Sequence, residues 1–77
     1  MKLQEKINKL KSEQDECYIK LKDYNESVKE GKISINEFYA ATTSIAERIT
    51  TLNIEIGNSI YIKDIIEQCN DKLIFEN

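Results

Sequence analysis

The sequence contains no proline, histidine or tryptophan, and it has two glycines among 77 residues. Without histidine the chain lacks the side chain that most often serves as a general base or a metal ligand near neutral pH. The absence of proline and the scarcity of glycine favour long, uninterrupted helices over strands and tight turns. These shortages predict a single all-α domain over residues 1–77 and argue against an enzyme.

The sequence has two cysteines, Cys17 and Cys69, and they are far apart. No Cys-x-x-Cys pair is present, so the spacing typical of a zinc site is missing. The sequence also has no glycine-rich phosphate loop and no nucleophile elbow. We therefore predict no catalytic, cofactor-binding or metal site, and no cofactor.

Long apolar runs are missing as well, both at the length of a membrane span and as a signal-peptide core at the N-terminus. We expect a cytoplasmic protein with reduced thiols, and a disulfide within or between chains is the alternative. The net charge of −3 and the pI near 4.9 argue against a dedicated nucleic-acid binder.

A helix stop and a helix start stand next to each other near the middle of the chain. Gly31 suits the position just past a helix, because glycine adopts the left-handed conformation without a Cβ penalty. Ser34 is placed to cap the next helix, with Glu37 completing a capping box. Ile33 and Phe38 have the spacing of a hydrophobic staple. Together these residues predict a helical hairpin.

The same residues also have the spacing of half an EF-hand calcium loop. If Gly31 is loop position six, Glu37 falls at position twelve, where a bidentate ligand is required. Positions one, three and five would then be Glu26, Val28 and Glu30, and valine offers no oxygen ligand. We therefore favour the capping interpretation over calcium binding.

Apolar residues recur at intervals of three and four on both sides of the turn, which is the spacing of a heptad seam. We predict helices over about 2–30 and about 35–56, joined by a turn at 31–34 and packed antiparallel. Gln14 is the polar member of the first seam, as a register marker or a partly exposed residue. The seam positions are Leu3, Ile7, Leu10, Gln14, Cys17, Leu21, Tyr24 and Val28, then Ile35, Phe38, Thr42, Ile45, Ile49, Leu52 and Ile56.

A further apolar stripe follows Gly57, at the point where the second helix runs out of partner near residue 61. We predict a break there and a third helical segment over about 59–73, and the alternative is that the second helix continues unpaired. Such a stripe either folds back across the hairpin or packs against a second copy, and we predict that dimerisation completes the fold. The candidate partner-binding or dimer-interface residues are Tyr39, Ile60, Tyr61, Ile62, Ile65, Ile66, Cys69 and Leu73.

Lysines dominate the first turns of the first helix and would supply a basic contact to a partner or to the acidic C-terminal stretch. A solvated charged face is the simpler interpretation, and we favour it because an acidic run follows at 13–16. The four candidates are Lys2, Lys6, Lys9 and Lys11.

The turn reads Gly-x-Ile-Ser-x-x-Glu-Phe from Gly31 to Phe38, after a helical pattern that includes Leu21 and Tyr24. This run resembles the coiled-coil hairpin of large serine integrases, over about residues 10–56, and short SHOCT-type helical domains carry a similar turn. The integrase hairpin mediates contacts between subunits, so the resemblance implies an interaction role. The catalytic and zinc-binding parts of an integrase have no counterpart in this sequence.

The richness in lysine, isoleucine, asparagine and glutamate, the small size and the start at Met1 resemble the accessory proteins of phages and other mobile elements. We therefore predict a non-catalytic protein–protein interaction module. In this hypothesis it is a homodimeric regulator or inhibitor of a larger host or phage protein. The alternatives are a nucleic-acid accessory protein in recombination or transcription, and a structural coiled-coil assembly element.

Overall fold

Two long helices make up the computed structural model, which describes residues 2–76 and the side chains of residues 2–69. Helix α1 spans Lys2–Lys29 and helix α2 spans Ile35–Glu76, and no strand occurs among the described residues. The helices pack side by side as a hairpin. The prediction of an all-α helical hairpin is confirmed.

The turn between the helices follows the residues that predicted it. Gly31 has a φ of 74°, and the amide of Lys32 donates to the carbonyl of Ser27 at 2.9 Å, which closes the C-terminus of α1. At the start of α2 the amide of Glu37 donates to Ser34 Oγ at 3.1 Å. The helix stop and the helix cap are therefore separate local devices, and both are present.

Polar pairs between the helices show their register. Lys63 Nζ donates to Gln4 Oε1 at 2.6 Å, and the side-chain Nε2 of Gln14 donates to Asn53 Oδ1. Gln4 and Gln14 are ten residues apart on α1, and their partners Lys63 and Asn53 are ten residues apart on α2 in the reverse order. The helices therefore run antiparallel and keep the same register between the two contacts. Gln14 therefore acts in the register contact that the sequence suggested for it.

The core lies along the predicted seam and is small. Ile35 was predicted as a seam residue, but it is the first residue of α2 and is 76% exposed. Beyond Ile56 the seam continues through Ser59, which is buried, and Lys63, which is half-buried. Within residues 2–69 the buried apolar residues are Ile7, Leu10, Cys17, Ile49, Leu52 and Ile56.

Helix α2 passes through Gly57 without a break, which corrects the prediction of a separate third segment over about 59–73. A glycine in a helix interior costs about 1 kcal/mol relative to alanine. Ile56 and Ser59, on either side of Gly57, are both buried against α1. This packing outweighs the glycine penalty, so the stripe predicted for a third helix lies on α2 itself.

The hairpin is a thin rod, with principal dimensions of 67 × 16 × 14 Å. Its radius of gyration is 18.8 Å, whereas a compact domain of this length would have a value of about 11 Å. Each helix is covered by the other along one face only. Most of the remaining helix surface is therefore available to solvent or to a partner.

Candidate functional site

The face of α2 that points away from α1 carries an exposed apolar surface. Tyr61 is 67% exposed and Ile54 is 59% exposed, although both lie in the half of α2 that packs against α1. Spacings of three, four and seven residues place side chains on one side of a helix. We define the outer stripe by the six residues that share this side: Ile54, Asn58, Tyr61, Ile62, Ile65 and Cys69.

Helix α2 thus has two apolar faces, one buried against α1 and one exposed. Leu52, Ile56 and Ser59 form the buried seam against α1, whereas the outer stripe is exposed. A surface helix with one buried face normally presents charged residues on the opposite side. The outer stripe has no charged residue, so it is the feature of this molecule that most resembles an unoccupied contact surface.

Four of the eight predicted contact residues lie on the outer stripe: Tyr61, Ile62, Ile65 and Cys69. Ile66 is at the stripe's edge, between it and the seam, and Ile60 is on the other flank of α2. Tyr39 is also exposed but lies near the turn, about 33 Å along the helix from Tyr61. Leu73 lies outside the described side chains.

Ile54 was not predicted as a contact residue, because the predicted apolar stripe began only after Gly57. The seven-residue interval from Ile54 to Tyr61 was the signal that could have identified it. Ile35 was also missed as a surface residue: it stands four residues before Tyr39, and the two make a second, smaller apolar patch beside the turn. These two patches are at different ends of the described rod.

The four candidate lysines are exposed, and the three-and-four spacing of Lys2, Lys6 and Lys9 places them on one side of α1. Lys11 lies off that line. Among the described side chains, none of the four belongs to an ion pair. The basic end of α1 is therefore available for an external contact, but it includes few residues.

Arg48 is the chain's one arginine, and its side chain is already engaged within the chain. Its Nε donates to Glu13 Oε2 at 2.7 Å, and its terminal amino group contacts the same oxygen. Both side chains are partly exposed, so solvent weakens their attraction. The pair nevertheless compensates the charge of Arg48 across the two helices.

The side chains described by the structure show no arrangement suited to metal binding. Within residues 2–69 no three of the histidine, cysteine, aspartate and glutamate side chains come together as a cation site. Cys17 is buried in the seam and Cys69 is exposed on the outer stripe. Since Cys17 packs in the same core cluster as Ile49, about 30 Å from Cys69 along α2, the two thiols do not meet within one chain.

A shallow groove lies on the surface of α1. Its volume is about 260 Å³, and it is lined by Lys20, Asp23, Tyr24 and Ser27. Ligand pockets usually have about 300–1,000 Å³ and enclose their ligand on several sides. A groove formed by neighbouring side chains of one helix lacks that enclosure, so the outer stripe is the stronger candidate.

Within the described part of the chain, neither helix combines the length and the apolar character that crossing a membrane requires. Comparisons of the chain with protein-family models, with curated proteins and with solved structures found no match. The resemblance to the hairpin of large serine integrases therefore stays a prediction from the turn residues.

Proposed function

We propose that this protein is a non-catalytic interaction module, a small regulator that acts by binding another protein. The observation that carries this proposal is the outer stripe, an uncharged apolar face on a helix whose opposite face is already buried. Residues at intervals of three, four and seven are the anchors by which an amphipathic helix packs into a groove or against another helix.

The energetics of the hairpin support a need for further burial. Six apolar side chains are buried among those that the structure describes, and a chain of 77 residues is near the lower size limit for a self-sufficient core. Full burial of one large apolar side chain contributes about 1.5–3 kcal/mol. Because Ile54, Tyr61, Ile62 and Ile65 are each 39–67% exposed, covering all four would add the equivalent of about two fully buried side chains.

The composition and the turn support a finer version of the proposal. The resemblance to phage and mobile-element accessory proteins suggests a regulator or inhibitor of a larger host or phage protein. The integrase-like turn adds the expectation that such hairpins serve contacts between protein subunits. In this version the protein has no cofactor, and the cytoplasm is where it acts.

A nucleic-acid accessory role is the second candidate, and the exposed row Lys2, Lys6 and Lys9 is the observation that favours it. The net charge of −3 and the pairing of Arg48 with Glu13 oppose it. Binding to duplex DNA at low salt, lost as salt rises and weakened by Lys6→Gln, would support this role. Absence of binding at low salt would remove it.

Affinity capture with matched variants tests the leading proposal. Ile65→Glu places a charge on the outer stripe, whereas Ile19→Glu places the same charge at a 61% exposed isoleucine of α1. We expect the unmodified protein and Ile19→Glu to retain one dominant protein partner and Ile65→Glu to lose it. Equal capture by all three proteins, or no partner at all, would contradict the proposal.

A further inference from the structure

We propose that the outer stripe is covered by a second copy of this chain, with the two α2 helices antiparallel and a two-fold axis between Tyr61 and Ile62. Two hairpins would then form a symmetric four-helix assembly. The inference rests on the proposed function, because it names the partner of the same surface. Three observations favour a second copy as the occupant.

The first observation is the symmetry of the stripe. From Ile54 to Cys69 its six positions are separated by four, three, one, three and four residues, which reads the same in both directions. A two-fold contact uses the same patch on both subunits, and when the two helices run antiparallel each position meets the one at the same distance from the centre on the other side. The palindromic spacing therefore brings a stripe residue opposite a stripe residue along the whole stripe.

This register defines which residues meet. Ile54 lies opposite Cys69 of the second copy, Asn58 opposite Ile65, and Tyr61 opposite Ile62. The central pair places an aromatic ring against a branched aliphatic side chain, which suits a packed interface core. Asn58 is the one polar residue of the stripe and lies between the central pair and the ends.

The second observation is the placement of charge. None of the six stripe residues is charged, so two copies of the stripe would meet without burying a charge. A partner with a charged contact face would have to bury that charge without an opposite charge on the stripe, which is costly. The absence of charge therefore favours an uncharged occupant such as a second copy of the stripe.

The third observation is the surface area. The hairpin exposes 6143 Å², whereas a compact monomer of 9.0 kDa exposes about 4,900 Å². A specific protein–protein contact of standard size removes about 800 Å² from each partner. One such contact on each hairpin would remove more than half of the excess surface.

The first test is the mass of the protein in solution. If the chain forms the proposed dimer, sedimentation or light scattering should give twice the chain mass of 9.0 kDa. Ile65→Glu should shift the protein to a monomer and weaken self-association at least tenfold, while its helix content by circular dichroism is retained. Ile19→Glu is the matched control and should remain a dimer. A monomer at all concentrations, or loss of the dimer in both variants, overturns the proposal.

Disulfide trapping tests the geometry independently of stability. Ile54→Cys should form an intermolecular disulfide with the native Cys69 under mild oxidation, because the register places these positions opposite each other. Within one chain they are about 22 Å apart along α2, too far for a disulfide. Ile19→Cys, a matched isoleucine on α1, should give no rapid cross-link to Cys69.

The remaining outcomes separate this inference from the proposed function. Rapid Cys69–Cys69 cross-linking of the unmodified chain would show a parallel pair and overturn the antiparallel register. A monomer that still loses its captured partner on Ile65→Glu would overturn the dimer but leave the interaction role intact. An Ile54–Cys69 cross-linked dimer that captures no partner would support the dimer and contradict the role as a regulator.

Discussion

The two halves of the hairpin share one heptad spacing but differ in how well they are packed. Among the described side chains, the buried ones lie at 7–17 on α1 and 49–59 on α2, from the middle of the hairpin outward, and we call this part the distal half. In the half next to the turn, which we call the proximal half, seam residues such as Leu21, Val28 and Phe38 remain half-exposed. Heptad spacing therefore determines which face meets the partner helix, whereas the size of the facing side chains determines how completely that face is buried.

The reason lies in the residues at the seam. The distal half places Leu10, Leu52 and Ile56 in contact, and these branched aliphatic side chains fill the space between two helices. The half near the turn has Tyr24 and Thr42 on its seam, and the hydroxyl of Thr42 donates to the carbonyl of Phe38 at 2.8 Å. We infer that packing stabilises the distal half, while caps and the turn stabilise the proximal half.

The largest expected effect is the loss of packing in the distal half. Leu52 is 0% exposed, so Leu52→Ala removes buried methyl groups, leaves a cavity, and should lower the free energy of unfolding by about 2–5 kcal/mol. Ile45→Ala, at a half-buried seam position nearer the turn, should cost clearly less. Urea unfolding followed by circular dichroism at one protein concentration measures both. Equal losses would contradict the contrast between the halves.

The turn is the next test, because the proximal half depends on it. Gly31 has a φ of 74°, a conformation that costs about 1–2 kcal/mol for a residue with a side chain. Gly31→Ala should lower the free energy of unfolding by that amount, although a Cβ at this position meets no atom within 4 Å. Thermal and urea unfolding would show the loss. An unchanged stability would mean that the turn does not hold the proximal half.

Replacing Gly57, the glycine of the distal half, should change the free energy of unfolding in the opposite direction. Gly57 lies inside α2, does not have a positive φ, and has open space around the position of a Cβ. Gly57→Ala should therefore raise the free energy of unfolding by about 0.5–1 kcal/mol, through the helix propensity of alanine. The same unfolding measurements compare it directly with Gly31→Ala. A destabilised Gly57→Ala would indicate that a partner approaches α2 closely at this position.

The smallest expected effect is that of the ion pair between the helices. The Arg48 and Glu13 side chains are both more than two-fifths exposed, and such surface pairs contribute about 0–1 kcal/mol. Glu13→Gln should therefore change the free energy of unfolding by less than about 1 kcal/mol, and added salt should reduce that difference further. Unfolding at low and high salt tests this expectation. A large, salt-independent loss would show that the pair does more than adjust the register.

Several features of the fold could be predicted from the sequence because they depend on atoms only a few residues apart. The boundary at Gly31 and Ser34 is of this kind, since a left-handed glycine and a capping hydroxyl act within one turn of helix. The seam was predictable for a related reason, because spacings of three and four place residues on one face wherever the helix lies. Most of the chain's secondary structure follows from these two local rules.

The candidate site was only partly predictable, because it depends on which α2 residues α1 covers. Tyr61, Ile62 and Ile65 were identified as an apolar stripe, but Ile54 was not, since it looked like an ordinary residue of the second helix. Ser59 and Lys63 continue the seam with polar side chains, so the apolar pattern alone did not reveal them as seam positions. The register of the two helices decides these assignments.

The sequence by itself determined that this chain is helical on both sides of a bend at Gly31, because helix caps and heptads act over short distances. The tertiary structure decided that α2 continues through Gly57, because burial of Ile56 and Ser59 against α1 outweighs the cost of one glycine. It also decided which apolar residues are covered and which form the outer stripe. Burial is a property of two helices in a given register, and neither helix carries that information alone.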